Sequence, residues 1–328
     1  MWPVVGHEKA VELLRRGVAS GQMAHAYLFT GPPQIGKTTL ALAFAQALNC
    51  TGDDPPCGEC LACRKIAHGT HPDIRLLDGQ EGTIKIDHIR ALQREAALSP
   101  YEGRWRVYIL AGMEAATHEA SNCLLKTLEE PPSQVKLILT ALEADLLLPT
   151  IVSRCQLLSL NPLPMAQVQQ ALQERWGVEE ERARLLARLS GGRMGWAVMA
   201  HQDGALLNRR KQQLDRMLAM AEEGRIGRLD YAYQLSRTPE QVPEVLNLWL
   251  SWWRDLLLVK EGCPEVVTNI DQEMTLEQWA QRYSRREIKE VIQAIQGTVR
   301  QLEQNVNPRL ALEVLLLRLP RVGKERKP

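Results

Sequence analysis

The sequence predicts an α/β fold in which a parallel sheet, covered by helices on both faces, is followed by purely helical domains. Three observations carry this prediction. Short apolar runs alternate with helical patterns from the start of the chain to about residue 160, which is typical of parallel sheets. A glycine-rich loop, Gly31 to Thr38, follows the first apolar run and precedes a helical pattern. Beyond residue 162 the chain contains helical patterns and no convincing strand.

The elements follow in chain order. The predicted strands are Ala26–Thr30, Asp73–Leu77, Arg106–Leu110, Val135–Thr140 and Cys155–Leu160. Helices are predicted between them, for example over Thr38–Leu48 and Glu119–Leu128. Two prolines in the stretch 161–167, "NPLPMAQ", predict a boundary. We therefore expect a nucleotide-binding-like domain over residues 1–162, a small helical domain over 163–204 and a larger helical domain over 205–328.

A tryptophan-rich stretch, "VLNLWLSWWRDLLLV", occupies residues 245–259 of the last domain. Trp249, Trp252 and Leu256 fall at steps of three and four, on one face of a helix. Leu250 and Trp253 widen that face, so the helix is expected to be buried on most of its circumference. This spacing favours packing in a core over an exposed platform for stacking DNA bases.

Composition excludes several classes of protein. The 328 residues are 45% apolar and 24% charged, and the formal net charge is +1, so charge gives no global drive toward nucleic acid. The first residues lack the basic start and apolar run of a signal peptide. No apolar stretch approaches the ~20 residues that span a bilayer. We expect a cytoplasmic protein, in which seven cysteines indicate metal binding more than disulfides.

The glycine-rich loop "GPPQIGKT" matches the phosphate-binding pattern G-x-x-x-x-G-K-[ST] in full. Glycines let backbone N–H groups surround phosphate oxygens, and the following helix N-terminus adds positive potential. We expect ATP or ADP to fit this loop, with Lys37 on the terminal phosphates and Thr38 at a magnesium ion. The predicted nucleotide-binding residues are Gly31, Gly36, Lys37, Thr38 and Thr39.

Four cysteines lie within fourteen positions, in "CTGDDPPCGECLAC". Their spacing suits a closed tetrahedral shell of thiolates around zinc, and such a shell leaves no open position for a reacting water. The sequence therefore predicts a structural zinc ion rather than a catalytic one. The predicted ligands are Cys50, Cys57, Cys60 and Cys63.

Several stretches together resemble one family. The opening "GHEKAVELLRRGVASGQMAHAYLFTGPPQIGKTTLA", the inserted cysteine module, "SNCLLKTLEEPP", "LLPTIVSRCQLLSL" and "NVNPRLALEVLLLRL" are similar to the AAA+ clamp-loader subunits of DNA polymerase III. The resemblance covers essentially the whole chain. It implies an AAA+ domain with a zinc module, a helical lid and an all-α collar domain. It also implies partners, namely the tau/gamma motor and delta subunits in a heteropentamer, the sliding clamp, and primed DNA.

The end of the third strand departs from the motor subunits of this family. A hydrolysing P-loop enzyme needs acidic residues there to hold magnesium and to polarise the attacking water. The motor subunits have Asp-Glu at these positions, whereas this chain has Ala111 and Gly112. Glu114 lies two residues further on, and we expect it to sit at the start of the next helix as a carboxylate favoured by the helix dipole. A magnesium ion is therefore not expected to be held as in a motor.

A second departure lies in "GGRMGWA", residues 191–197. In an ungapped comparison, Gly195 occupies the position of the arginine with which motor subunits sense the γ-phosphate. Arg193 is close but out of register. The loss of both features is typical of the delta-prime branch of the family, whose members keep the fold without the hydrolysis.

The motif "SRC" contains Arg154, which resembles the family's finger that reaches a neighbouring subunit's ATP. An arginine in this position is always charged and makes paired hydrogen bonds to phosphate oxygens.

The adjacent Glu129 and Glu130 do not face each other on a helix, so we interpret them as a solvated helix end rather than a catalytic pair.

The sequence thus predicts a non-hydrolysing stator that supplies Arg154 in trans while a sliding clamp is loaded onto primed DNA. One alternative is an active ATPase motor of the tau/gamma type. A more distant alternative is a stand-alone, zinc-containing P-loop nucleotide kinase, which leaves "SRC" and the helical C-terminal domain unexplained.

Overall fold

The structure is a computed structural model, which describes residues 2–79, 82–304 and 306–320. The chain forms two compact units. The first comprises Met1–Trp176 and Gly192–Trp196, and the second comprises Gly177–Gly191 and Ala197–Pro328. The domain limits at residues 162 and 204 stay predictions, and residues 321–328 of the predicted collar lie outside the described residues.

A five-stranded parallel sheet forms the centre of the first unit, with strand order β2-β3-β4-β1-β5. The strands are β1 Ala26–Thr30, β2 Ile74–Asp78, β3 Arg106–Ala111, β4 Val135–Ala141 and β5 Gln156–Ser159. The strand β1 lies next to the edge of the sheet, where it pairs with β4 on one side and with the edge strand β5 on the other. Each of the five predicted strands is confirmed: β1 has the predicted ends, and the ends of the other four differ from the prediction by at most one residue.

The helices occupy the connections between strands and nearly all of the remaining chain. Those that begin before residue 180 are α1 Glu8–Ser20, α2 Lys37–Asn49, α3 Leu61–Ala67, α4 Ile86–Ala96, α5 His118–Glu129, α6 Pro149–Val152 and α7 Met165–Trp176. The later ones are α8 Glu180–Ser190, α9 Met194–Gln202, α10 Gly204–Met220, α11 Arg225–Ser236, α12 Val242–Lys260, α13 Glu273–Arg282, α14 Arg285–Glu303 and α15 Pro308–Arg318. Across the described ranges 2–79, 82–304 and 306–320, no helix combines the length and the apolar character needed to cross a membrane.

The sheet separates two apolar cores, because successive side chains of a strand point to opposite faces. Tyr27 and Phe29 pack with α1, α2 and α3, whereas Leu28 packs with α4, α5 and α6 on the other face. All five residues of β1 are buried. A strand that is covered on both faces has a nearly continuous run of apolar residues. The run at residues 26–30 therefore allowed β1 to be predicted from the sequence.

A buried carboxylate, Asp73, fixes the loop that leads into β3. Its two oxygens accept hydrogen bonds from the backbone N–H groups of residues 101–103, at 2.7, 2.9 and 2.8 Å. Arg106 completes the set with a 3.1 Å ion pair. Burial raises the pKa of Asp73, but the three backbone N–H groups and Arg106 outweigh it and lower the pKa to about 2.

We expect Asp73→Asn to destabilise the first unit by about 2–4 kcal/mol, because an amide cannot replace a charged acceptor of four donors. The stability that Asp73 contributes is present above its unfolded pKa of 3.8 and is lost as the pH falls through about 2. Calorimetric unfolding at pH 7 and at pH 3 measures both effects. Asp87→Asn is the matched control, because the side chain of Asp87 is 84% exposed; an equal loss in both variants would contradict the prediction.

The second unit is entirely helical within the described residues, and its core is built around the tryptophans of α12. Trp249, Trp252 and Trp253 are fully or almost fully buried. Trp252 packs edge-on against Trp279 of α13, with ring centroids 5.0 Å apart. The prediction that these tryptophans pack in a core, rather than forming an exposed platform, is confirmed.

Arg228 of α11 is buried in the second unit and binds carbonyl groups at the ends of two other helices. Its Nε donates to Met220 O at 2.8 Å, at the end of α10, and its Nη1 donates to Leu316 O at 3.0 Å, in the last turn of α15. A cation is favoured at helix C-termini, where carbonyl groups lack intrahelical donors. Arg228 therefore ties together three helices of this unit.

Candidate functional site

The phosphate loop lies at the carboxyl end of β1, between Thr30 and the first residue of α2. Gly31 and Gly36 have φ angles of 146° and 113°, which only glycine adopts readily. A Cβ atom on Gly31 would lie 2.4 Å from Leu160 O, so no other residue fits there without a shift. The loop and the first turn of α2 bring together the predicted binding residues Gly31, Gly36, Lys37, Thr38 and Thr39.

Lys37 is buried, and its ammonium group is held by the loop itself. Its Nζ donates to the carbonyl oxygens of Gly31 and Pro32. Burial lowers the pKa of Lys37, and the negative charge of Glu114 opposes that shift. The carbonyl groups of the loop thus hold the amine of Lys37 beside the loop, and in P-loop proteins the lysine of this motif reaches the terminal phosphates.

At the end of β3, Ala111 and Gly112 offer no acidic side chain. Ala111 is buried, and the Gly112 N–H donates to Thr140 Oγ1 of β4 at 3.1 Å. A methyl group and a hydrogen atom therefore stand where a magnesium-holding and a water-polarising carboxylate would be needed for hydrolysis.

The prediction that Glu114 begins the next helix is wrong. Glu114 lies in a separate 3₁₀ turn, Met113–Ala115, and α5 begins only at His118 because the Thr117 hydroxyl caps it by accepting from the Ala120 N–H. Glu114 Oε2 accepts instead from the Leu142 N–H at 3.3 Å, directly after β4. Its carboxylate therefore belongs to the surroundings of the phosphate loop, which the local sequence pattern did not indicate.

Gly195 lies against the phosphate loop. Its N–H donates to Gln34 O at 2.8 Å, and Gln34 has a φ of 59°, an unusual value for a residue with a side chain. A Cβ atom on Gly195 would lie 2.6 Å from the same oxygen. An arginine at this position would require the backbone to move. Arg193, the nearby candidate, lies with its guanidinium 5.9 Å from the ring centre of Trp196.

Arg154 lies in the short link between α6 and β5. Its Nη1 donates to Thr150 O at 2.9 Å, and its Nη2 forms a 2.7 Å ion pair with Glu129 Oε1. The interpretation of Glu129 as a merely solvated helix end is therefore incomplete, since the last residue of α5 holds this guanidinium. Glu130 is exposed, as expected.

The four cysteines of the module converge. Their sulfur atoms all lie within 4.8 Å of one another. Backbone N–H groups of Gly52 and Cys57 point to Cys50 Sγ, that of Cys60 points to Cys57 Sγ, and that of Cys63 points to Cys60 Sγ, at 3.3–3.4 Å. Such N–H donors stabilise negative sulfur.

The thiols differ in their proton affinity. Burial raises the pKa of Cys60, but hydrogen bonds from Thr51 and from the Cys63 backbone outweigh it and lower the pKa to about 6. Burial raises the pKa of Cys63. A donor set of four thiols at this separation fits zinc, which binds sulfur at ~2.3 Å and takes four ligands in structural sites.

A phosphate loop on a parallel sheet of order β2-β3-β4-β1-β5, followed by helical segments, is the architecture of the AAA+ class of P-loop proteins. The profile described as "DNA polymerase III, delta subunit" matches residues 6–164, and that described as "DNA polymerase III, delta subunit, C terminal" matches residues 205–321. The chain belongs to the delta-prime family of DNA polymerase III clamp-loader subunits.

Individual relatives agree with this assignment. The Bacillus subtilis subunit delta' is 29% identical over 317 residues, which are 95% of each chain. The Pseudomonas aeruginosa subunit delta' is 42% identical over 149 residues, 44% of this chain and 45% of that protein. The Escherichia coli subunit tau is 38% identical over 196 residues, 58% of this chain but only 30% of that protein.

A solved structure of a gamma subunit-related protein from Thermotoga maritima shares the fold. It is 19% identical in sequence, its TM-score is 0.51, and the match covers 94% of this chain and 97% of that one.

Proposed function

We propose that this chain is a non-hydrolysing stator of a cytoplasmic clamp loader, and that it acts on a neighbouring motor subunit's ATP through Arg154. The observation that carries the proposal is the end of β3, where Ala111 and Gly112 replace the acids that hydrolysis requires. Glu114 does not take their place in the chain, because it lies two residues beyond Gly112, in the 3₁₀ turn Met113–Ala115.

The phosphate loop keeps a binding role in this proposal. Its glycine geometry and the buried Lys37 are compatible with bound ATP or ADP, while a hydrolytic role for magnesium is not proposed. The tight approach of Gly195 to Gln34 supports the same view, because it leaves no space for a γ-phosphate-sensing arginine in this conformation.

The proposed partners are the tau/gamma motor and delta subunits of a heteropentamer, with the sliding clamp and primed DNA reached through that complex. Similarity to subunits named tau and delta' supports assembly of this kind. The helical C-terminal residues are proposed to form the collar that holds the subunits together, and Cys50, Cys57, Cys60 and Cys63 are proposed to hold a structural zinc ion.

The test is DNA-dependent ATP turnover by a reconstituted loader that contains Lys37→Ala or Arg154→Ala in this chain alone. We expect Lys37→Ala to change turnover by less than about twofold and Arg154→Ala to lower it by about 1,000-fold at the site it serves. Gel filtration checks that each variant still assembles. Loss of turnover with Lys37→Ala and none with Arg154→Ala would contradict the proposal and favour an active motor.

A further inference from the structure

We infer that Glu129 is a positioning residue, which presets the guanidinium of Arg154 for a neighbour's triphosphate. The inference rests on the proposed function, because it concerns how the same arginine is presented.

The guanidinium is held from two sides by elements of the first unit. Thr150, in α6, accepts from Nη1 at 2.9 Å, and Ser153 Oγ accepts from the same nitrogen at 3.4 Å. Glu129, the last residue of α5, accepts from Nη2 at 2.7 Å. The backbone oxygen of Thr150 and the carboxylate of Glu129 lie on different helices. Together they fix the plane of the guanidinium of Arg154, which Thr150 alone could not do.

Enough donors remain for a phosphate. An arginine carries five N–H groups, and the contacts with Thr150, Ser153 and Glu129 use three of them among the described residues. The Nε–H and the second Nη2–H are left for oxygen atoms of an incoming ligand. The guanidinium can therefore keep its contacts with this chain while it binds phosphate.

The exposure of the pair suits such a role. The side chains of Arg154 and Glu129 are 35% and 51% exposed, so the guanidinium stays accessible to a neighbouring subunit. An exposed ion pair contributes little to folding stability. The ion pair instead restricts the side chain of Arg154, which has several rotatable bonds. A catalytic group that is already ordered before the transition state speeds the reaction, because less entropy is lost on reaching it.

Glu130 offers a matched control in the next position. Both glutamates are exposed and acidic, and both stand at the end of α5 before two prolines. Only Glu129 forms an ion pair with Arg154. A change at Glu130 therefore tests for effects of charge and helix-end stability without disturbing the pair.

The experiment measures kcat and KM for ATP in the reconstituted loader with Glu129→Ala, Glu129→Gln, Glu130→Ala, Arg154→Ala and the double variant Glu129→Ala/Arg154→Ala. We expect Glu129→Ala to lower kcat about three- to tenfold at the site that Arg154 serves, with KM unchanged, because rotamer ordering affects the transition state more than ATP binding. Glu129→Gln, which keeps an acceptor oxygen, should fall between Glu129→Ala and the wild type. Glu130→Ala should match the wild type.

The double variant isolates the coupling. If Glu129 acts through Arg154, then Glu129→Ala has no further effect once Arg154 is alanine. An equal loss in both backgrounds, or a higher kcat with Glu129→Ala because the carboxylate competes with phosphate, would overturn the inference. Normal turnover with Arg154→Ala would instead overturn the proposed function, so the two failures are distinguishable.

Discussion

Replacing Arg154 with lysine is expected to lower ATP turnover at the site that Arg154 serves by about 100-fold or more, nearly as far as replacement with alanine. Lysine keeps the positive charge but presents it as a single point on a flexible stem. It cannot bind Thr150 O, Glu129 and a phosphate oxygen from one planar group, as the guanidinium can. The loss should fall on kcat, because the contact matters most when charge develops on the transferred phosphoryl group.

The measurement is steady-state turnover with primed DNA and clamp at saturating ATP. Arg75→Lys serves as the control, because Arg75 also forms an exposed ion pair in the first unit, with Glu95 at 3.1 Å. If Arg154→Lys keeps wild-type turnover in a loader in which Arg154→Ala lowers it, charge alone is sufficient, which contradicts the role of paired hydrogen bonds.

Removal of the metal from the cysteine module is expected to unfold residues 50–63 while the sheet persists. Structural zinc sites contribute about 10–16 kcal/mol of apparent binding free energy in isolated peptides, so few local contacts can replace the ion. The module is joined to α2 by the hydrogen bond from Gln46 Nε2 to Cys63 O, at 2.9 Å. We expect this bond to be lost with the metal and α3 to loosen.

The wild type should carry about one zinc ion per chain by elemental analysis, and Cys60→Ser should carry less than about half of that. In the variant, the otherwise buried Cys63 becomes reactive toward a thiol reagent. Cys263→Ser, which lies far from the module in sequence, should keep its metal. A wild-type protein that binds no zinc and whose four thiols react freely would refute the site.

Local patterns carried much of what could be predicted. The phosphate loop and β1 are contiguous in sequence, so residues 26–38 show both the buried strand and the turn that follows it. The cysteine module is equally local. The surroundings of the phosphate loop are formed by residues that are distant in sequence. Glu114 contacts Leu142 only because β3 and β4 are neighbours in the sheet. The cap on α5 is a local signal, because threonine is a favoured N-cap residue, and Thr117 separates Glu114 from that helix.

Pairs that are distant in sequence account for the rest. Glu129 and Arg154 are 25 positions apart, and their contact depends on how α5 packs against α6. The role of Asp73 is similar, because its partners at 101–103 follow a helix and a turn. A single sequence contains no pattern that joins such residues. An aspartate just before a strand indicates a buried, hydrogen-bonded carboxylate only when the position of that strand in the sheet is known.

The position of β1 in the sheet also determines when the first unit can become complete during synthesis. Both neighbours of β1 come late in the chain: Ala26 aligns with Leu137, and Leu28 aligns with Leu157. The apolar strand that carries the phosphate loop therefore leaves the ribosome long before either neighbour exists. The cysteine module, in contrast, can close around a metal as soon as residues 50–63 have emerged. The nascent chain can thus fold the cysteine module early, whereas β1 lacks both of its strand partners until β4 and then β5 have emerged.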